Sequence, residues 1–192
     1  MTANLFADYA PRERDGEGGV EDGRGEDATL PDGLAIAPAT DSDIDGIVRL
    51  LAWREGISLE RAAQTTNETR RRPPEKLFLV ARLAGRVIGF GRAELVERHP
   101  APYEHVPPGW YLVGLIIDPA HRRRGIGAAL TRARLAWITQ RADEAYYFAN
   151  SVNRATIDLH ARFEFREIAR DFTFPRATFN MGGVGVLFRV DL

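Results

Sequence analysis

The 192-residue chain contains no cysteine, only one lysine and no long hydrophobic run. Without cysteine, disulfides, thiolate metal ligands and a cysteine nucleophile are all excluded. No apolar stretch approaches the roughly 18 to 20 residues that a transmembrane helix needs. The first ten residues also lack the basic and apolar regions of a secretory signal. These absences favour a cytoplasmic protein.

The charge of the chain is unevenly distributed. Residues 1–33 carry nine acidic residues and three arginines, a net charge of −6, although the whole chain carries only −1. Because residues 12–33 are rich in Gly, Asp and Glu and have few large apolar side chains, we expect 1–33 to be a disordered acidic extension and 34–192 to be the folded domain. The extension is either a solvated tail, or a misassigned start, or an acidic arm that shields a basic site.

The hydrophobic pattern of residues 34–192 predicts alternating strands and helices. Thr40 is the expected N-cap of the first helix and Asn153 precedes the last. The order mixes hairpins with crossover helices and therefore indicates an α+β fold, with a mixed, mostly antiparallel sheet of about seven strands flanked by about four helices. The predicted strands are 34–37, 77–83, 86–96, 110–117, 145–148, 165–172 and 184–190, and the predicted helices are 40–51, 58–72, 127–141 and 153–162.

A basic loop with two glycines directly follows the predicted buried strand 110–117. Gly125 and Gly127 leave backbone N–H groups open to the close approach of an anion. The start of the next helix adds unpaired N–H donors, and Arg122, Arg123 and Arg124 add charge that suits phosphate. The pattern therefore predicts a diphosphate-binding loop.

Two common phosphate loops are excluded by the residues they lack. A Walker A loop needs Gly-Lys-Ser/Thr, and Lys76 lies far from this segment. A dinucleotide fingerprint needs a third glycine, where this chain has Leu130. What remains is Arg-x-x-Gly-x-Gly after a buried strand. A nucleic-acid contact through the arginines of 70–72 and 122–124 is the alternative, although a net charge of −1 argues against a nucleic-acid or membrane binder.

The loop resembles the acetyl-CoA-binding motif of the GCN5-related N-acetyltransferase (GNAT) family, Gln/Arg-x-x-Gly-x-Gly/Ala after the fourth strand. A second segment is similar to that family's Asn-x-x-Ala/Ser, Tyr or His, Gly-Phe signature and runs from Asn153 to Phe165. His160 stands where tyrosine is commonest, and Glu164 replaces the usual glycine. The resemblance spans 34–192 and implies the acyl-CoA N-acyltransferase fold, in which the fourth and fifth strands splay apart.

The resemblance also implies acetyl-CoA as the cosubstrate and no metal. In this family the pantetheine arm enters the gap between the splayed strands, and the diphosphate lies on the loop backbone. Asn153 would contact the cofactor, cap its helix, or do both. The expected cofactor-binding residues are Leu115, Ile116, Ile117, Arg122, Arg123, Arg124, Gly125, Ile126, Gly127, Ala128 and Asn153.

The implied reaction is direct transfer of an acetyl group to a primary amine, because a chain without cysteine cannot form a cysteinyl acyl-enzyme. An amine of pKa about 10.4 must lose its proton at pH 7, which costs about 5 kcal/mol. His160 is the expected acid for the leaving thiolate, or else a packing residue. Tyr111 stands where the family has a glutamate and would orient a water or the acceptor. Glu94 and Glu97, on the preceding strand and its exit, are candidate bases in place of that glutamate, or else solvent-facing carboxylates.

The expected partners are acetyl-CoA and a small amine whose identity the sequence does not reveal, without nucleic acid or membrane. Two alternatives are an acetyltransferase acting on a protein amine and a non-catalytic acyl-CoA-binding module. The unusual residues Tyr111 and Glu164 motivate the second alternative. The last strand is a candidate edge for a homodimer.

Overall fold

The computed structural model describes residues 30–71, 76–179 and 182–192, so most of the expected extension lies outside the described residues, and the domain boundary at residue 34 stays a prediction. The predicted strands and helices are all confirmed within these ranges. The strands are β1 (Ala35–Pro38), β2 (Lys76–Leu83), β3 (Arg86–Val96), β4 (Gly109–Ile117), β5 (Glu144–Asn150), β6 (Arg166–Arg170) and β7 (Gly185–Asp191), and the helices are α1 (Ile44–Glu55), α2 (Leu59–Arg71), α3 (Ile126–Ile138) and α4 (Arg154–Ala161).

The seven strands form one mixed sheet in the order β1-β2-β3-β4-β5-β7-β6. Every neighbouring pair is antiparallel except β4 and β5, which confirms the predicted fold class. Helices α1 and α2 cover one face, with Ile47 and Leu51 packed on Phe90. Helices α3 and α4 cover the other face, where Leu130 joins a core with Tyr147.

The prediction that the last strand is a free edge of the sheet is wrong. The last strand, β7, lies between β5 and β6, so its two sides are already paired. The strand order could not be read from local pattern, because pairing of β7 with β5 joins segments about 40 residues apart. The edges of the described sheet are β1 and β6.

The start of α1 is anchored to the sheet through Asp43. The Thr40 N–H donates to the Asp43 carboxylate at 2.7 Å, so Thr40 caps the 3-10 turn of residues 41–43 that leads into α1, whose own N-cap is Asp43. Arg82 on β2 donates to both carboxylate oxygens of Asp43, at 2.6 and 2.5 Å. Because Asp43 is only 3% exposed, this paired geometry ties α1 firmly to β2.

The fourth and fifth strands splay as predicted. In the described ranges β4 and β5 share a single register pair, Tyr111 with Tyr146. Beyond that pair, β4 bulges, since Gly91 on β3 faces both Gly114 and Leu115 and Gly114 has a φ of 61°. A bulge bends the strand that carries the extra residue, so β4 departs from β5 and leaves a gap in the sheet.

None of the helices in the described ranges is long and apolar enough to cross a membrane.

Candidate active site

An open cavity of about 840 Å³ lies in the gap between β4 and β5. Its wall is formed by the two strands, the loop after β4, the start of α3, the inner face of α4 and the end of α1. The volume suits a ligand of drug or cofactor size. The cofactor-binding residues that the sequence predicted and that line this cavity are Leu115, Ile116, Ile117, Arg122, Arg123, Gly125, Ile126, Gly127, Ala128 and Asn153. Arg124 is exposed and lies outside the wall.

The loop after β4 presents backbone N–H groups to one end of the cavity. Arg123 and Gly125 have positive φ values, 58° and 74°, which turn the chain sharply into α3. The Ala129 N–H donates to the Gly125 carbonyl at 2.9 Å. Within the part of the chain that the structure describes, the amides of residues 123–128 have no acceptor. Such a group of unpaired donors at a helix start favours an anion.

Gly127 lets α3, α4 and β4 come close together. A Cβ at this position would lie 3.4 Å from Leu159 on α4 and 3.8 Å from Leu115 on β4. The glycine therefore brings the helix start against the opening between the strands, where the loop amides and the free side of β4 share one cavity.

The side of β4 that faces the gap carries unpaired backbone groups beyond Tyr111, because β5 has already diverged. An extended ligand can pair with such a strand side as an added strand would. The cavity therefore joins this row of unpaired backbone groups on β4 to the unpaired amides of residues 123–128.

Asn153 caps α4 and also lines the cavity. Its Oδ1 accepts from the Thr156 N–H at 3.3 Å, which confirms the capping role. The residue is 8% exposed and belongs to the cavity wall. The expected contact between Asn153 and a cofactor stays a prediction.

His160 lies in the cavity wall but is buried, with 3% of its surface exposed. Its Nδ1 lies 2.9 Å from the Thr156 carbonyl, so Nδ1 carries the proton and Nε2 has a bare lone pair. Burial, with the charge of Arg134, lowers the pKa of His160 to about 3, although the bond to Thr156 opposes this shift. The ordinary pKa assumed from the sequence is therefore wrong, and His160 has no proton to give from Nε2 at neutral pH.

Tyr111 is fully buried and is absent from the cavity wall. Its hydroxyl donates to the Pro107 carbonyl at 2.9 Å, and its ring stacks on Tyr146 with centroids 5.1 Å apart. Burial raises the pKa of Tyr111 far above its usual value. Tyr111 therefore holds the β3–β4 loop against the sheet, and its hydroxyl is not open to a water or an acceptor.

The two expected carboxylates also lie away from the cavity. Glu94 is opposite Tyr111 in the register of β3 and β4, and its carboxylate accepts from Arg92 at 2.6 Å. Glu97 is exposed just beyond the end of β3. Neither residue belongs to the described cavity wall, so of the expected catalytic set only His160 does.

Arg134 is a cavity residue that sequence reasoning missed. It lies on α3, is 1% exposed, and donates to the carbonyls of Leu130 and Arg92, each at 3.2 Å, and to Thr131 at 3.0 Å. It makes no ion pair with a carboxylate among the described residues. The signal in the sequence is its spacing, because Leu130, Arg134 and Ile138 follow one another at four-residue intervals on the buried face.

Glu164 occupies the position where the family motif has glycine, and its backbone keeps the conformation that glycine favours. Its φ is 63°, and its N–H donates to the Ala161 carbonyl at 3.1 Å at the end of α4. The turn geometry is therefore preserved, at a conformational cost to the glutamate.

The fold and the cleft together define an acyl-CoA N-acyltransferase architecture. A family model described as "Acetyltransferase (GNAT) family" matches residues 45–165, more than half of the chain. The chain belongs to this family, which confirms the resemblance drawn from the two motifs.

Curated relatives are named as acetyltransferases. The chain is 32% identical over 155 residues to a mycothiol acetyltransferase from Clavibacter michiganensis subsp. michiganensis, covering 77% of this chain and 47% of the relative. It is 27% identical over 158 residues to the enzyme of that name from Propionibacterium freudenreichii subsp. shermanii, covering 79% and 49%. The chain thus spans about half the length of the curated relatives it matches.

Solved structures share the fold at lower identity. A ribosomal-protein-alanine N-acetyltransferase from Brucella melitensis has a TM-score of 0.61 at 19% identity, over 82% of this chain and 99% of that one. The ribosomal-protein-S18-alanine N-acetyltransferase from Escherichia coli has a TM-score of 0.60 at 13% identity, over 82% and 93%. At these identities the likeness concerns the fold alone.

Proposed function

We propose that the protein transfers the acetyl group of acetyl-CoA directly to the primary amine of a small acceptor. The observation that carries this proposal is the cavity between β4 and β5, which ends at the unpaired amides of residues 123–128. Acetyl-CoA has an extended arm, which matches the unpaired side of β4, and a diphosphate, which matches the loop after β4. Its thioester would then lie at the inner end of the gap between the strands.

The cofactor is held in this proposal mainly by backbone groups. Leu115, Ile116 and Ile117 on β4 pair with the pantetheine arm. The amides of residues 123–128 bind the diphosphate, and Arg122 and Arg123 add positive charge from the cavity wall, with Arg124 exposed just outside it. Asn153 borders the arm from the start of α4. When bound, acetyl-CoA supplies the activated acyl group, and the chain positions it.

A small acceptor is supported by two considerations. The curated relatives at 27% and 32% identity are named for mycothiol and not for a protein acceptor. The solved structures named for ribosomal-protein alanine are only 13% and 19% identical, so those names carry no acceptor assignment. The acceptor amine must be neutral to attack, so the rate should rise with pH towards the amine's own pKa.

A second candidate is a non-catalytic acyl-CoA-binding module. It is favoured by one observation, that the only expected catalytic residue in the described cavity wall, His160, is buried and uncharged. Such a module would bind CoA but transfer no acetyl group.

Thermal unfolding with CoA, followed by release of free thiol from acetyl-CoA with a panel of amines and peptides, tests the proposal. A ligand at 100 times its Kd adds about 2.7 kcal/mol to stability. We expect stabilisation by CoA and thiol release with at least one small amine. No stabilisation at millimolar CoA would contradict the proposal, binding without release from any amine would favour the module, and release from peptides alone would favour a protein acceptor.

A further inference from the structure

Arg134 has no role in the proposed binding of acetyl-CoA, although it lines the same cavity. We propose that the Arg134 guanidinium stabilises the CoA sulfur as a thiolate when the thioester bond breaks, an inference that rests on the proposed function. It is thus assigned as a catalytic residue that takes the place of a proton-donating acid.

The guanidinium is held in a fixed position below the strand bulge. It contacts β3 at Gly91, where a Cβ would lie only 3.1 Å from the guanidinium carbon. Its bond to the Arg92 carbonyl reaches from α3 to the β3 residue opposite Val113, next to the bulge in β4. Three hydrogen bonds and the space left by Gly91 therefore hold this cation against β3, beside the bulge in β4 and in the wall of the cavity.

A buried cation is normally paired with a carboxylate, because desolvation of an isolated charge is costly. The charged and titratable groups near Arg134 are Arg92 on β3, which is itself paired with Glu94, and the uncharged His160 on α4. Arg134 uses three of its five N–H donors on neutral oxygens. In the described residues its charge is not compensated, which suits a site that receives an anion.

The position of Arg134 along α3 decides which anion that is. It lies eight residues after Ile126, or about 12 Å along the helix from the end that carries the diphosphate loop. An arm that runs along β4 from this loop brings its sulfur, and not its diphosphate, towards Arg134. The thiolate is therefore the anion that the cation meets.

The step balances without a protein acid. The lone pair of the neutral amine forms the bond to the thioester carbon, and the carbon–sulfur bond breaks with its electron pair on sulfur. The nitrogen loses its extra proton to water. His160 cannot protonate the sulfur, because its one N–H is bonded to Thr156. A fixed positive charge in the cavity wall stabilises the developing anion in its place.

Burial and the charge of Arg92 lower the pKa of Arg134 to about 9. Binding of CoA and of desulfo-CoA, compared between pH 6 and 8, where the guanidinium keeps its charge, therefore tests this role. If Arg134 favours the thiolate, wild-type protein should bind CoA more tightly than desulfo-CoA, and this preference should grow as the pH rises. The ratio of the two Kd values should change by at most about tenfold for each unit by which binding lowers the pKa of the CoA thiol. Arg134→Met should remove this pH dependence, leave desulfo-CoA affinity within about threefold, and lower kcat about 100-fold with little change in KM for acetyl-CoA. Arg134→Lys should keep part of the pH dependence.

Arg132→Met is the matched control, since Arg132 is exposed on the same helix. It should keep both the pH dependence and kcat. Binding of both ligands by wild type with no pH-dependent preference for CoA would overturn the role of Arg134 alone, and this comparison needs no variant to fold. Failure of wild type to bind either ligand would overturn the proposed function and this inference with it.

Discussion

The imidazole of His160 lies flat on the phenol ring of Tyr147, with ring centroids 4.0 Å apart. Phe188 stacks on the same ring at 4.5 Å, so the histidine belongs to a layered aromatic core. Burial in this layer raises the pKa of the Tyr147 hydroxyl and lowers that of His160. The arrangement favours an uncharged ring at this point of the cavity wall.

Stability should therefore fall in mild acid because of His160. Its pKa is about 3 in the folded protein and about 6.5 when unfolded. Between these values the unfolded chain binds more protons than the folded protein does. The free energy of unfolding therefore rises as the pH goes from 3 to 6.5, and it decreases as the pH falls through this range. The free energy of unfolding, measured with urea, should differ less between pH 4.5 and pH 7 for His160→Phe than for wild type. His105→Phe, on an exposed loop residue, is the control, and an unchanged difference in His160→Phe would contradict the prediction.

Gly125→Glu should abolish CoA binding. Gly125 has a φ of 74° at the start of α3, and a glutamate there would place a carboxylate among the amides proposed to hold the diphosphate. Gly85→Glu is the matched control, because Gly85 has the same φ with open space around it in the β2–β3 turn. Both changes should cost about 1 to 2 kcal/mol of stability. CoA should still raise the Tm of the Gly85 variant; a comparable rise for Gly125→Glu would argue against the loop as the diphosphate site.

Glu164→Gly should stabilise the protein. Glu164 holds a φ of 63°, which costs a residue with a Cβ about 1 kcal/mol and glycine almost nothing. Part of this gain is offset by the greater freedom of glycine in the unfolded chain. Equilibrium unfolding should show a gain of about 0.5 kcal/mol. Glu167→Gly, on the neighbouring strand β6, should instead lose stability, and a loss in both variants would show that the Glu164 side chain matters more than its backbone.

Arg82→Met should destabilise the fold by about 3 kcal/mol, because it leaves the buried Asp43 carboxylate without its cation. The hydrogen bonds from Arg82 hold the pKa of Asp43 well below its usual value. This contribution is present above the unfolded pKa of about 3.9 and is lost as the pH falls below it. Denaturant titrations at pH 7 should show this loss of stability for Arg82→Met. The control Arg86→Met, at the exposed start of β3, should keep the stability of wild type.

The local features of this chain could be predicted from its sequence. The helices and strands follow from periodicity, the Thr40 and Asn153 caps from side chains next to the backbone they serve, and the loop at Gly125 from glycines between a strand and a helix. Each of these depends on interactions within a few residues. The family followed from two such local motifs at a suitable separation.

The tertiary structure alone decided which of these residues share an environment. Strand order placed β7 inside the sheet, since pairing between distant segments leaves no local pattern. Packing buried His160 between aromatic rings and closed Tyr111 onto Pro107, which changed the chemistry expected of both side chains. Packing also placed the buried Arg134, from the middle of an apolar face of α3, in the cavity wall. A residue's type fixes the reactions it can perform, but desolvation and neighbouring charges, which arise only on folding, decide its protonation and its reach.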